Sequence, residues 1–140
     1  MTQTAQVTHI VEDGDTAIAL GSGDLPVLGT PRLLAWCEEA TCAALALDST
    51  ASNSTASSST ASKSGTASSV GTRVDIEHLA ASAIGAVVTA TATIIHTDGR
   101  LLQFQVAAHD DSGQLIGTGE IRRVVVDRER FMASVRHVGD

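Results

Sequence analysis

The chain has 140 residues, 43% of them hydrophobic, and carries a formal net charge of −7. That length suffices for one domain with a real core. The acidic balance argues against sequence-independent nucleic-acid binding, which needs a basic surface. Aromatic residues make up only 2% of the chain, so the core must be built from Val, Leu, Ile and Ala. No signal peptide is read in Met1–Gln6, which has no basic start and leads into no apolar run. No run approaches the roughly 20 apolar residues of a membrane span.

Taken in order, Gln3–Val11 alternates loosely around Val7, Ile10 and Val11 and reads as a first strand. Glu12–Asp15 is a turn cluster, Thr16–Leu20 reads as a short strand, and Gly21–Pro26 as a loop. Leu28–Leu47 then predicts the central helix. Thr30 is expected to cap it, with Pro31 at the first helical position, where no donor is needed. Leu33, Leu34, Ala35, Trp36, Cys37, Ala40, Cys42, Ala43, Ala44 and Leu45 leave almost no polar face, the pattern of a buried helix. Cys37 and Cys42 point to different sides of it, which disfavours a disulfide. They read as reduced packing groups, as in a cytoplasmic protein.

From Asp48 to Ser69 the composition shifts to a repeat of Ser, Thr and Ala. Such sequence buries little apolar area and reads as a surface insertion within a single domain spanning 1–140.

The remainder is strand-rich. Val70–Ala83 sets Val74, Ile76 and His78 on one face and Arg73, Asp75 and Glu77 on the other. Ala86–Thr97 is a β-branched run, closed by the Asp98-Gly99 hairpin signal. Leu101–Asp110 puts Leu102, Phe104, Val106 and Ala108 on one face. Leu115–Asp127 is a long strand whose glycines mark a bulge or a close backbone approach. Phe131–Val138 reads as a frayed end or a strand continuation. One apolar helix and long antiparallel strands joined by tight turns fit an α+β layer fold.

The anomaly is the pair Glu38 and Glu39 in the middle of the apolar helix, because buried Glu is rare unless paired or working. Glu39 is the better candidate for an exposed residue, pairing with Arg32. No glycine-rich phosphate loop precedes a helix, no serine-centred nucleophile elbow is present, and no metal-ligand spacing is found. His96 and His109 sit beside turns and read as solvated. His9 and His137 carry no signal.

Three stretches carry a resemblance: LGTPRLLAWCEEATCAAL, GTRVDIEHLAASAIGA and FQVAAHDDSGQLIGTGEIRRVVVDRERF. Together they resemble the fluoroacetyl-CoA thioesterase group of hot-dog thioesterases. The resemblance implies a hot-dog fold, with an antiparallel sheet wrapped around a long central helix. It also implies a homodimer, and hydrolysis of a small acyl-CoA thioester without a separate cofactor, since CoA is part of the substrate. The family's threonine, glutamate and histidine fall on Thr30, Glu38 and His78. The sequence lacks most of the family's aromatic residues, so discrimination for a fluorinated substrate is not carried over.

In chemical terms, Glu38 in apolar surroundings would activate water or attack the thioester carbonyl. His78 would move a proton or orient Glu38. Thr30 and the free amides at the helix start, beside Gly29, would bind substrate oxygen. Arg122, Arg123, Arg128 and Arg130 form a basic run, either a solvated strand face or a contact for CoA phosphates, with Arg123 the residue chosen for substrate binding. Thr30 and Glu38 lie roughly 12 Å apart along one helix. A shared site therefore needs Thr30 of one subunit and Glu38 of another. The rival readings are a hot-dog hydratase or dehydratase and a non-catalytic acyl-CoA-binding module. Nucleic acid and membrane are not expected partners.

Overall fold

The computed structural model describes residues 3–56 and 67–135. The elements are β1 (Thr4–Ile10), α1 (Ala17–Leu20), α2 (Thr30–Ala56), β2 (Ala67–His78), β3 (Val87–Asp98), β4 (Leu101–Asp110), β5 (Leu115–Asp127) and α3 (Arg128–Ala133). The five strands form one antiparallel sheet in the order β1-β3-β4-β5-β2, so β1 and β2 are its edges. Helix α2 lies across the inner face of this sheet, the α+β arrangement expected. Among the described residues, no helix is long and apolar enough to cross a membrane.

The alternation read from β4 is what the core uses. Leu102, Phe104, Val106 and Ala108 are all buried, facing Val88, Ala90 and Ala92 of β3 and Ile116 and Ile121 of β5. Leu33, Trp36, Cys37, Ala40 and Ala44 close the core from the helix side. Their spacing of three and four residues defines one helical stripe. The helix is therefore not buried all round, as its composition suggested. Ala35, Glu39, Cys42, Ala46 and Leu47 are exposed. A single sheet covers one stripe of a helix, and the small residues opposite it carry little apolar area to hide.

Several local readings change. Within Thr16–Leu20, residues Ala17–Leu20 form α1 rather than a strand, with Thr16 as the extended cap residue. The Thr16 side chain accepts from the Ala19 amide, and Gly21 closes the turn at φ 74°. A cap at one end and a left-handed glycine at the other outweigh the β preference of so short a segment. Helix α2 does not stop at Leu47 but runs to Ala56, into the Ser/Thr/Ala repeat. No glycine or proline occurs between Pro31 and Gly65 to end it. The end of the same repeat, Ala67–Ser69, belongs to β2. The middle of the proposed insertion lies outside the described residues. At the other end of the chain, Asp127 caps α3 through the Glu129 and Arg130 amides, so Arg128–Ala133 is helical rather than extended. Residues beyond 135, His137 among them, lie outside the description.

The β5 glycines mark a close approach, as read. A Cβ at Gly119 would overlap the Asp75 carbonyl of β2, and one at Gly117 would press into Leu33 at 2.8 Å. The Gly99 turn also forms as read, at φ 61°.

Phe104 is fully buried beneath the helix. Phe104→Ala is expected to lower unfolding free energy by about 3–5 kcal/mol, measured by urea denaturation.

Candidate active site

The start of α2 meets the end of β2. The Thr30 hydroxyl lies 2.8 Å from Nδ1 of His78. Thr30 is not the helix cap that the sequence suggested. The Gly29 carbonyl accepts from the Arg32 and Leu33 amides, so Gly29 is the boundary residue and Thr30 already lies in the first turn. Its hydroxyl is thereby free to engage the histidine. Pro31 has no N–H, and among the described residues the Thr30 amide has no backbone acceptor. It remains as an unused donor beside the Thr30–His78 pair.

Gly29 behaves differently from the expectation. Its N–H is not available to a substrate, because it donates to the Asp15 carbonyl at 2.9 Å. The residue is buried, and an added Cβ would meet Leu20 Cδ1 at 3.0 Å and Ala17 Cα at 3.1 Å. Its role here is to let α1 pack closely on the helix start. A cavity of about 390 Å3 opens beside the pair, lined by Leu28, Gly29, Thr30, His78 and Leu79 among others.

His78 is half-buried, and its Nε2 is buried without a hydrogen-bond partner. Burial lowers its pKa below the ordinary 6.5, against a smaller opposing effect of the Ala80 backbone. The ring is therefore held neutral near pH 7. In the tautomer with the proton on Nε2, the Thr30 hydroxyl donates to Nδ1.

Glu38 is not beside this pair. It lies two turns further along α2, and its Oε2 lies 2.5 Å from where a Cβ on Gly71 of β2 would be. Gly71 and His78 are separated by about 20 Å of strand, so one chain brings Thr30 and His78 together and leaves Glu38 apart. The surroundings of Glu38 also differ from the apolar wall expected. Its side chain is 36% exposed, and Oε2 lies 3.6 Å from Nη1 of Arg123. Arg123 is buried, with 7% of its surface exposed, and so is not part of a solvated basic face. Its Nε donates to the Ser69 hydroxyl at 2.9 Å and its Nη2 to the Ser69 carbonyl at 3.1 Å. A buried guanidinium needs such partners. Ser69 was hidden in the repeat and Gly71 had no chemical signature. Neither was legible as a site residue.

The remaining charges pair away from both clusters. Glu39 takes His9 at 2.7 Å rather than Arg32, and His9 stacks on Trp36 with ring centroids 4.7 Å apart. Arg32 reaches Asp15 at 2.9 Å. His96 and His109 are exposed, as expected. The thiols differ. Cys37 is buried, and burial, with the charge of Glu38 adding, pushes its pKa up to about 11. Cys42 is exposed rather than packed.

A histidine whose pKa is lowered in the folded chain favours the folded state when neutral. Its contribution is present above the ordinary value and is lost as pH falls through the lower folded value. Histidine NMR is expected to give His78 a midpoint below 6.5. The stability advantage of wild type over His78→Asn should shrink as pH falls through that range, as read by thermal melts.

Known proteins give this geometry a family. A model of the family described as Fluoroacetyl-CoA-specific thioesterase (FlK) matches residues 11–129. The fluoroacetyl-CoA thioesterase of Streptantibioticus cattleyicolor is 41% identical over 68 residues, which is 49% of this chain and 48% of that protein. The matched segment thus spans about half the length of that relative. A solved structure of a variant of the fluoroacetyl-CoA thioesterase FlK in complex with acetyl-CoA superposes with a TM-score of 0.79 at 25% identity, covering 98% of this chain and 96% of that one. A hot-dog-like protein from Thermanaerovibrio acidaminovorans gives a TM-score of 0.71 at 21% identity, covering 93% and 85%. The fold is the hot-dog fold, and the chain belongs to the fluoroacetyl-CoA-specific thioesterase family.

Proposed function

We propose that this chain is an acyl-CoA thioesterase that works as a cytoplasmic homodimer, with Thr30 and His78 of one subunit and Glu38 of the other at each site. The observation that carries the reading is the Thr30–His78 contact beside an open cavity, in a chain of this family. The relative bound to acetyl-CoA supports an acyl-CoA ligand. CoA enters as part of the substrate, and no further cofactor is required. Two free thiols support a reducing compartment.

The geometry of β2 supports the dimer. It is a long edge strand of 12 residues, an open template for a second chain. Thr72 is an extra residue at a bulge between Gly71 and Arg73. Two copies of β2 paired antiparallel about Asp75, each skipping Thr72, would set His78 opposite the partner's Gly71, where the partner's Glu38 sits. In the same register Glu77 faces the partner's Arg73, and Ile76 faces the partner's Val74. Val74 is 40% exposed in the single chain and gains an apolar neighbour. Faces, charges and apolar residues thus agree on the register that completes the site. The one like-charged pair, Asp75 with the partner's Asp75, lies between the two Arg73 side chains.

In such a site, neutral His78 accepts the Thr30 proton, and the Thr30 hydroxyl oxygen and amide hold water and carbonyl oxygen. Glu38, fixed by Arg123, removes a proton from water or adds to the carbonyl itself. The thiolate of CoA then leaves, giving the free acid directly on the first route and, on the second, a mixed anhydride with Glu38 that water hydrolyses to the acid and the carboxylate. Both routes need the carboxylate within bonding reach of the reaction, and both are lost when it becomes an amide.

Glu38→Gln is expected to reduce thiol release from acyl-CoA by at least about a hundredfold, with the dimer intact by size-exclusion chromatography. Thiol release also separates the thioesterase from a hydratase, which would alter substrate absorbance without freeing thiol, and from a binder, which would do neither. Mixing inactive His78→Ala and Glu38→Gln homodimers under subunit exchange should restore activity to about a quarter of wild type. Half of the dimers become mixed, and each has one intact site. A site contained in one chain would give no recovery.

A further inference from the structure

A second cavity begins where the Glu38–Arg123 pair ends. It holds about 290 Å3 and is lined by Cys42, Leu45, Ala46, Ser69, Arg123 and Val125, among others. Cys42 and Leu45 lie one and two turns beyond Glu38 on the same stripe of α2. The cavity therefore runs from Arg123, the partner of Glu38, along the helix and away from its start, with Val125 of β5 as the facing wall.

The charge at the near end is compensated. Two of the five Arg123 donors go to Ser69, and its Nη1 faces the Glu38 carboxylate, so the guanidinium charge is already countered. An acidic acyl tail would also meet the Glu38 charge. Beyond Arg123 and Ser69 the lining is the thiol of Cys42 and the alkyl groups of Leu45, Ala46, Ala67 and Val125, with Ser68 the one further hydroxyl. Such a space takes a neutral, apolar chain. One methylene is close in size to a water's share of liquid volume, about 30 Å3. An acetyl group would leave most of 290 Å3 empty.

The geometry points to this cavity as the acyl-chain pocket, taking an uncharged acyl group of about four to eight carbons with its carbonyl at Glu38. This rests on the thioesterase reading for the position of the carbonyl. Cys42 is then a specificity-determining residue, lying along the acyl tail and touching none of the reacting atoms.

Cys42 also supplies the probe. It is exposed, whereas Cys37 is buried with a thiol pushed up to about 11, so N-ethylmaleimide should label Cys42 selectively on the folded protein. In a panel of straight-chain acyl-CoAs, hexanoyl-CoA should exceed acetyl-CoA in kcat/KM by at least about tenfold, since each methylene in a fitted pocket is worth that order. Labelling Cys42 with N-ethylmaleimide, or the substitution Cys42→Trp, should lower that hexanoyl-to-acetyl ratio by at least about tenfold. Equal or better use of acetyl-CoA by the unmodified protein overturns the assignment, as does a ratio that labelling leaves unchanged.

If no acyl-CoA releases thiol, the thioesterase reading fails, and the pocket is judged by protection alone. Hexanoyl-CoA should then slow labelling of Cys42 where acetyl-CoA and free CoA do not, and equal labelling rates overturn it. Failure of Cys42 to label in the folded protein, with labelling restored in urea, means that the protein itself fills the space and also overturns the assignment.

Discussion

The packing of one stripe of α2 onto the inner face of the sheet fixes the positions of everything else. Leu33, Trp36, Cys37, Ala40 and Ala44 press on Val88, Ala90, Phe104, Val106 and Ile121, all of them buried. Because aromatic residues are few, the contact is made largely by short side chains. Alanines at 40, 44, 90, 92 and 108 let backbone approach backbone. A helix seated that firmly cannot rotate or slide without opening voids. Its first turn is therefore held against the end of β2, and its third turn against the beginning of the same strand. The first contact makes the Thr30–His78 pair. The second makes the Glu38–Gly71–Arg123 cluster.

These two clusters are opposite in character. At the first, desolvation keeps an imidazole neutral, with one nitrogen engaged by a hydroxyl and the other buried without a hydrogen-bond partner. At the second, a carboxylate remains partly open to solvent and is held by a buried arginine. Isolated burial of the guanidinium would be costly. Ser69 offsets that cost with a hydroxyl and a carbonyl, and Glu38 supplies the counter-charge. Gly71 permits the close approach, since a Cβ there would come within 2.5 Å of the carboxylate oxygen and push Glu38 aside. The charges of the helix are thus divided by partner. Glu38 turns to the sheet, Glu39 to His9, and Arg32 to Asp15.

Local signals decided some elements against the periodicity. The four residues of α1 carry a capping threonine and a terminating glycine, and α3 a capping aspartate. In each case a few hydrogen bonds to the backbone outweigh side-chain preference over a short span. Longer strands behaved otherwise. Over ten or more residues the alternation in β4, and in β5 the length of the strand between its bounding turns, gave their ends to the residue.

By itself the sequence determined the class of the fold, the central helix, the hairpin turns and the inward faces of the strands, because these follow from local periodicity and backbone preference. It also marked Thr30, Glu38 and His78 through their resemblance to a family. Only the tertiary structure decided which stripe of the helix is buried, that Gly29 spends its amide on Asp15, and that Arg123 points inward to Ser69 and Glu38. Each of these depends on contacts between residues far apart in the chain, as between Ser69 and Arg123. A basic or acidic residue reads the same in sequence whether its partner is water or a buried side chain. The separation of Glu38 from His78 has the same origin, since it is set by the length of β2 between Gly71 and His78 and the two turns of α2 between Thr30 and Glu38.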